Sequence, residues 1–397
     1  MHSIILLQRW LERNTAFMHR CRAASLTAVV GGLLRGGKLT LSHLGRALCG
    51  ASHAKHKIKR VDRLLGNSHL HRERAAVYRA LAQWLLRGVE RPVILVDWSD
   101  CAPGHEWLML SAALALGGRA IPLYEEVHRL ASYNSPRTHR RFLEGLKGVL
   151  PTSCGPILIT DAGFRGPWFR AVEKLGWDWV GRVRNRIKVR MEGTETWRYT
   201  TSLYEEATGR VRHLGRCSLS HKHPYSAALY LVRLSRRGPG RPLKAHGAGP
   251  TARRCRKLYK DPWLIATSLP HEPGMSSRVM KLYAKRMQIE ESFRDLKDER
   301  WGFGFALARS GSRQRREVLL LIATLATLLL WLIGLAAKAY GWMRHFQANT
   351  ERRRAVLSIV FLGREVLRHH GPPLPNTALR SSLRWLRTQF QTQATSA

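Results

Sequence analysis

The chain has 397 residues, 44% of them hydrophobic, which is enough for two or three domains with sizeable cores and excludes a disordered tail. Lys and Arg number 67 against 27 acids, a formal charge of +40, so the folded chain repels itself unless a polyanion lies close by. Nucleic acid is the expected partner, through phosphate contacts that release counterions, and an anionic membrane surface is the rival.

The opening MHSIILLQRWLERN has a short apolar patch but no basic leader and no clean cleavage site, so no signal peptide is expected. Cys21, Cys49, Cys101, Cys154, Cys217 and Cys255 stand apart, with no C-x-x-C pair, as reduced thiols of a cytoplasmic protein would. Residues 1–85 read as a basic, helical DNA-binding domain. LTLSHLGRAL (39–48) has Thr40 or Ser42 as a helix cap, and KHKIKRVDRLLGN (55–67) follows it. Two short helices around Gly50 fit a helix-turn-helix with Lys55, Lys57, Lys59 and Arg60 against phosphates; the alternative is a basic face turned to solvent.

From about residue 91 the pattern changes. PVILVD, EWLMLSAALAL and RAIPLYEEVH are strand-like runs separated by turn residues. Helical RRFLEGLKGVL, the strand PILITD, helical PWFRAVEKLG and the strand WDWVGRVR come next. This order predicts an α/β mixed sheet with flanking helices, its first part spanning 86–185. Residues 186–275 form a second region: no Asp or Glu occurs between Glu206 and Asp261. Within it, Ser235–Lys257 is rich in Gly, Pro and Arg and reads as a basic loop joining strands such as AALYLVRL. Gly240-Arg241-Pro242 suits either a minor groove or a plain solvated loop. The region as a whole is expected to be a β-rich basic insertion facing nucleic acid.

Residues 276–370 turn helical, as Ser276–Lys297, an apolar helix near 317–340, and Glu351–Arg368. Val318–Ala337 is about as long as a bilayer span, which keeps a single-pass membrane protein as an alternative. Thr324, Thr327 and Gly334 suit a helix buried on every face of a core, and no membrane role is expected. HHGPPLPN (369–376) breaks the pattern, and the tail 371–397 holds a helix, SSLRWLRTQF, that is a candidate dimer contact. No internal repeat is present.

The chemistry gathers on two aliphatic runs that end in aspartate. Val93–Val96 lead into Asp97, and Ile157–Ile159 lead through Thr160 into Asp161. Unbroken aliphatic runs are central strands covered on both faces, and ligands collect outside the carboxyl ends of such strands. Either aspartate alone reads as a turn residue. Two side by side repel, and a hard divalent cation resolves the repulsion. A third acid comes from YAKRMQIEESFRDLK (283–297). On one helix, Tyr283, Arg286, Glu290 and Lys297 fall within a sector of roughly 60°, beside an apolar stripe of Leu282, Ile289, Phe293 and Leu296. Asp100 lies three residues beyond the expected strand end and Glu291 is rotated out of the sector, so Asp97 and Glu290 are preferred. Two Mg²⁺ ions about 4 Å apart, with Mn²⁺ as a substitute, would activate water and stabilise the leaving oxygen of a phosphodiester. Asp97 would bridge both ions, Asp161 and Glu290 would bind one each, Arg286 and Lys297 would hold phosphates, and Tyr283 would donate a hydrogen bond.

VDWSD, TDAGF and Y-x-x-R-x-x-x-E-x-x-x-x-x-x-K resemble the signatures of the DDE transposases of the bacterial insertion sequence four family, and Tyr283, Arg286, Glu290 and Lys297 fill every position of the last. KHKIKRVDRLLGN and KRMQIEESFRDLK are also similar to stretches of members carried by the tetracycline-resistance composite transposon. The resemblance implies an RNase H-like core with a β insertion after its fifth strand. It implies Mg²⁺-dependent cut-and-paste transposition of DNA through hairpin ends, by a homodimer on two transposon ends. It places Arg182 and Arg184 on the transposon end and Trp263 as a stacking platform for a flipped base, the alternative for Trp263 being a core residue at a strand start. A non-catalytic architectural DNA-binding protein and a nuclease that cuts without joining are the other readings.

Overall fold

The computed structural model describes residues 2–101, 104, 106–184, 187–234, 261–351, 354–369 and 374–393. The whole basic Ser235–Lys257 loop, with Gly240, Arg241 and Pro242, lies in the stretch 235–260 outside them. In chain order the helices are α1 (His2–Asn14), α2 (Arg20–Leu34), α3 (Leu41–Arg46), α4 (Ala54–Leu65) and α5 (Ser68–Leu85). Strands β1 (Val93–Asp100), β2 (Trp107–Leu116) and β3 (Arg119–Arg129) follow, then α6 (Pro136–Val149), β4 (Ile157–Thr160), α7 (Gly166–Glu173) and β5 (Asp178–Arg182). Next come β6 (Lys188–Met191), β7 (Arg198–Tyr199), β8 (Arg212–Leu219), β9 (Tyr225–Val232) and β10 (Trp263–Thr267). The chain ends in α8 (Met275–Ala284), α9 (Met287–Lys297), α10 (Arg313–Ala339), α11 (Met343–Phe346), α12 (Ile359–Arg368) and α13 (Asn376–Thr392). The chain divides into two compact units, one of residues up to Cys154 together with those from Met287 on, the other Gly155–Arg286.

In the first unit β2 lies between β1 and β3, antiparallel to both. All ten residues of β2 are buried, because WLMLSAALAL is apolar on both pleat faces and both are covered. The register sets Asp97 opposite Ser111 and Ser111 opposite Glu125, so these three side chains share one face in a row. Helix α10 is buried on nearly every side against α2, α5, α12, α13 and β3. It is long and apolar enough to cross a membrane, and 89% of its most apolar window is instead buried inside the unit. Its backbone runs against α12: Cβ atoms built at Gly334 and Gly363 would stand 2.0 Å from the Ile359 carbonyl oxygen and 2.3 Å from that of Leu330.

In the second unit the strand order is β4-β5-β10-β9-β8-β6-β7. Among the described strands of this unit only β4 and β5 run parallel, joined through α7; the other pairs are antiparallel. The acid-free region is thus β-rich over its described part.

Three local expectations are corrected. Ser276–Lys297 is not one helix: the amides of Lys285 and Arg286 bond three residues back, to Leu282 and Tyr283, and the turn separates α8 from α9. Tyr283, Arg286, Glu290 and Lys297 are therefore not carried by one continuous helix. Asp97 is the fifth of eight residues in β1 rather than its end, since pairing with β2 runs on to Asp100 opposite Leu108. Pleat alternation then turns Asp100 to the opposite face from Asp97. Finally, Glu351–Arg368 is helical only from Ile359. Ser358 caps α12 by accepting from Phe361 N at 3.1 Å, and the Gln347 side chain holds the preceding loop through the Arg354 carbonyl and the Val356 amide.

Candidate active site

The first unit brings Asp97, Glu290 and Lys297 to one cleft, with Ser99, Phe293, Arg294, Asp298 and Glu299 around it. Val93–Val96 are fully buried and exposure begins at Asp97, so the apolar half of β1 anchors the carboxylate where the core ends. Helix α9 buries Ile289, Phe293 and Leu296. It is pinned along its length: Gln288 Oε1 accepts from Leu116 N at 2.7 Å, Ser292 Oγ accepts from Ala120 N at 2.7 Å, and Arg119 Nε donates to Asp295 at 2.6 Å. Glu290 and Lys297, seven residues apart, share one side of α9. Lys297 Nζ donates to Ser99 Oγ at 2.9 Å, and Ser99 follows Asp97 on the same face of β1. Glu291 is engaged elsewhere, by Arg294 at 2.8 Å and Arg119 at 3.5 Å. Asp298 is held below the usual carboxylate range by the backbone N–H groups of Trp301, Arg300 and Gly302.

The second unit gathers the other candidates around Tyr283. Asp161 follows β4 directly, and its Oδ1 accepts from Gly163 N at 2.9 Å in a side-chain turn. Burial raises the Tyr283 hydroxyl pKa; among the charges around it, Arg286, Arg182 and Arg184 act to lower it and Asp161 to raise it. Trp263 meets the Tyr283 ring edge-on at 5.0 Å between centroids. The Arg182 guanidinium lies 6.0 Å from the Trp263 ring and donates to the Asp261 and Pro262 carbonyls at 3.2 and 3.3 Å. Burial and the neighbouring Arg184 lower the pKa of Arg182, as expected where cations crowd with little water.

Lys55, Lys57, Lys59 and Arg60 lie on α4, after the Thr40-capped α3. Lys55, Lys59 and Arg60 are exposed and Lys57 is half-buried. Lys59 reaches Asp62 at 3.5 Å, and none of the four borders the Asp97 cleft.

Sequence reasoning missed what fixes β1. Trp98, next to Asp97, is caged by the rings of His128, Tyr133 and His139 at 5.5, 5.4 and 6.0 Å, and its Nε1 donates to His139 Nε2 at 3.2 Å. His139 must be neutral to accept that bond. Burial, and then the charge of His128, bring its pKa down to about 4. An unfolded histidine takes its proton near 6.5, so the contribution is present above about pH 6.5 and is lost as pH falls towards 4, at up to about 1.4 kcal/mol per pH unit. Urea unfolding between pH 7 and 5 is therefore expected to show a steeper loss of stability in the wild type than in His139→Gln, whose amide oxygen accepts without titrating. Equal slopes would remove His139 from the clamp.

The donors on offer are carboxylate oxygens, which suit a hard divalent ion. Among the described residues no three His, Cys, Asp or Glu side chains already stand as a metal cluster. Residues 89–329, more than half of the chain, match the family model of the transposase DDE domain. No curated protein sequence matches the chain.

Proposed function

Because the chain belongs to the transposase DDE domain family, we propose that it is a cut-and-paste transposase whose acidic triad is Asp97, Asp161 and Glu290. The family makes it a transposase-type enzyme that acts on DNA. The finer reading rests chiefly on one observation: Asp97 and Glu290 line one cleft beside a lysine tied to the aspartate's own strand. Two Mg²⁺ ions, or Mn²⁺ in their place, held by the three carboxylates would supply Lewis-acid stabilisation of the attacking and leaving oxygens.

The chain's own residues do the rest. Lys297 and Arg286 hold non-reacting phosphate oxygens. Tyr283, whose burial favours the neutral phenol, donates a hydrogen bond rather than repelling a phosphate. Arg182 and Arg184 grip the transposon end, and Trp263 offers a ring to a flipped base. Residues 1–85 supply a DNA-binding domain with Lys55, Lys57, Lys59 and Arg60 on phosphates, and 186–275 supply a basic insertion. Residues 86–185 and 276–370 make the RNase H-like core, and 371–397 are a dimer contact. The active species is a homodimer on two transposon ends in the bacterial cytoplasm, akin to the insertion sequence four family and the tetracycline-resistance transposon. Water first nicks one strand; the freed 3′-OH attacks the opposite strand to leave a hairpin, the hairpin reopens, and the 3′ ends join target DNA.

The test incubates the purified protein and Mg²⁺ with DNA carrying the ends that flank its own coding sequence. Hairpin-ended or joined products are the expected result. Nicks that never progress would leave a nuclease, and bound but uncut DNA would leave an architectural protein.

A further inference from the structure

The helix that carries Glu290 ends at Lys297, and one carboxylate builds the turn that follows it. Asp298 Oδ1 accepts from the amides of Arg300 at 2.9 Å, Trp301, and Gly302 at 3.3 Å. The backbone closes the same turn: Phe303 N donates to the Asp295 carbonyl at 2.8 Å, and Gly304 N to that of Asp298 at 3.0 Å. A Cβ built at Gly302 would stand 2.7 Å from the Asp298 carbonyl oxygen, so only glycine lets the turn close this tightly. Asp298, Glu299 and Ala306 border the cleft with Asp97, Glu290 and Lys297, which makes the turn one of its walls. The reaction above gives it no task. The N-terminal helices grip this turn. Leu39 N donates to the Phe303 carbonyl at 2.9 Å, both residues being buried, and Lys38 Nζ donates to the Gly302 carbonyl at 3.2 Å. Leu39 precedes Thr40, the cap of α3. Helices α3 and α4 pack backbone to backbone, since a Cβ built at Gly45 would stand 2.6 Å from Ile58 Cα. Packed backbone therefore runs without a break from the basic α4 to α9.

We propose that this turn couples the N-terminal helices to the cleft, with Asp298 as its positioning residue: DNA held on α4 steadies the helix that carries Glu290. The inference rests on the reading of residues 1–85 as a DNA-binding domain. A ligand that orders one end of a connected segment lowers the cost of ordering the other, with no change of shape required. Buried backbone bonds are a firm link, because a buried N–H or C=O that lets go has no water to turn to. Asp298 Oδ1 is occupied by three amides, so its role is to hold backbone. A substitution that keeps the acceptor and removes the charge separates that role from metal binding. A second tie of α4, Arg315 to Asp62 at 2.7 Å, runs to the start of α10 and bypasses the turn, which makes it the control.

Hydrogen exchange in the full-length Asp97→Ala protein reads the coupling without cleavage. Duplex DNA carrying the element ends is expected to slow exchange of the Gly302, Phe303 and Gly304 amides about fivefold or more. Adding Lys38→Met, which keeps the methylenes and removes the donor, is expected to erase most of that slowing while DNA affinity stays within about threefold. Adding Arg315→Ala instead is expected to preserve it. Equal slowing with and without the Lys38 ammonium would mean that DNA lying over the cleft does the protecting, and would overturn the proposal. In the active protein, Asp298→Ala is expected to lower single-turnover nicking at saturating DNA about tenfold or more with DNA affinity little changed. Asp298→Asn, whose amide oxygen still accepts the three N–H groups, is expected to stay within about threefold of wild type. An asparagine variant as slow as the alanine one would assign Asp298 to charge rather than position and overturn that role, as would an alanine variant at full rate. If the protein binds no DNA, the domain reading falls and this inference with it. If bound DNA slows exchange through Lys38 but nothing is cut, the coupling stands and only the cutting chemistry falls.

Discussion

Asp97→Ala is expected to lower strand cleavage by about a thousandfold or more while the protein still binds DNA. The carboxylate sits where the buried half of β1 ends, on the cleft that holds Glu290. Its loss removes the ligand proposed to touch both ions. Metal polarisation of a phosphoryl oxygen is worth several kcal/mol, and each 1.36 kcal/mol is tenfold in rate. Removing an anion from a chain of charge +40 does not weaken its attraction for phosphates. The controls are Asp100→Ala, on the opposite pleat face, and Glu291→Ala, which faces Arg119 and Arg294; both are expected to stay within a few-fold of wild type. Measured rates of nicking on labelled duplex, with binding checked by mobility shift, decide the matter. Comparable losses for Asp97→Ala and Asp100→Ala would sink the assignment.

Gly334→Ala is expected to be the most damaging single methyl in the first unit. The added carbon would sit 2.0 Å from the Ile359 carbonyl oxygen and 2.8 Å from that residue's Cγ2. Neither can yield cheaply, because one is backbone and the other a stiff β-branched side chain. Overpacking of this kind costs on the order of 3 kcal/mol, a fall in Tm of roughly 6–12 °C for a unit this large. Circular dichroism melts and urea midpoints measure it. Gly311→Ala, where an added Cβ meets nothing within 4 Å, is the control. Identical melts for the two variants would mean that α10 and α12 do not touch through their backbones.

The two aliphatic runs before Asp97 and Asp161 were legible because strands buried on both faces lose their polar alternation, and α10 was legible for the same reason in helical form. The step from Asp97 to Glu290 was legible as chemistry, through residue types and spacing. The break between α8 and α9 was not, since two amides bonding three residues back leave no mark on composition. Nor was the burial of Glu125 and Glu126. Charged residues are expected outside, and here both faces of β3 are covered, with Ser111, Tyr78 and Thr324 supplying donors to Glu125 from distant parts of the chain and Tyr124 one to Glu126. The Trp98–His139 clamp joins residues 41 apart, beyond the reach of any local pattern.

The apolar α10 has one more consequence, which concerns the order in which the polypeptide is made. Helices α12 and α13, which cover it, are translated after it. A growing chain stopped near residue 340 therefore carries a long greasy rod without its lid, a species prone to clump or to be seized by a chaperone. Loss of the last fifty or so residues would thus harm the yield of usable enzyme even though all three carboxylates proposed for the site precede the break.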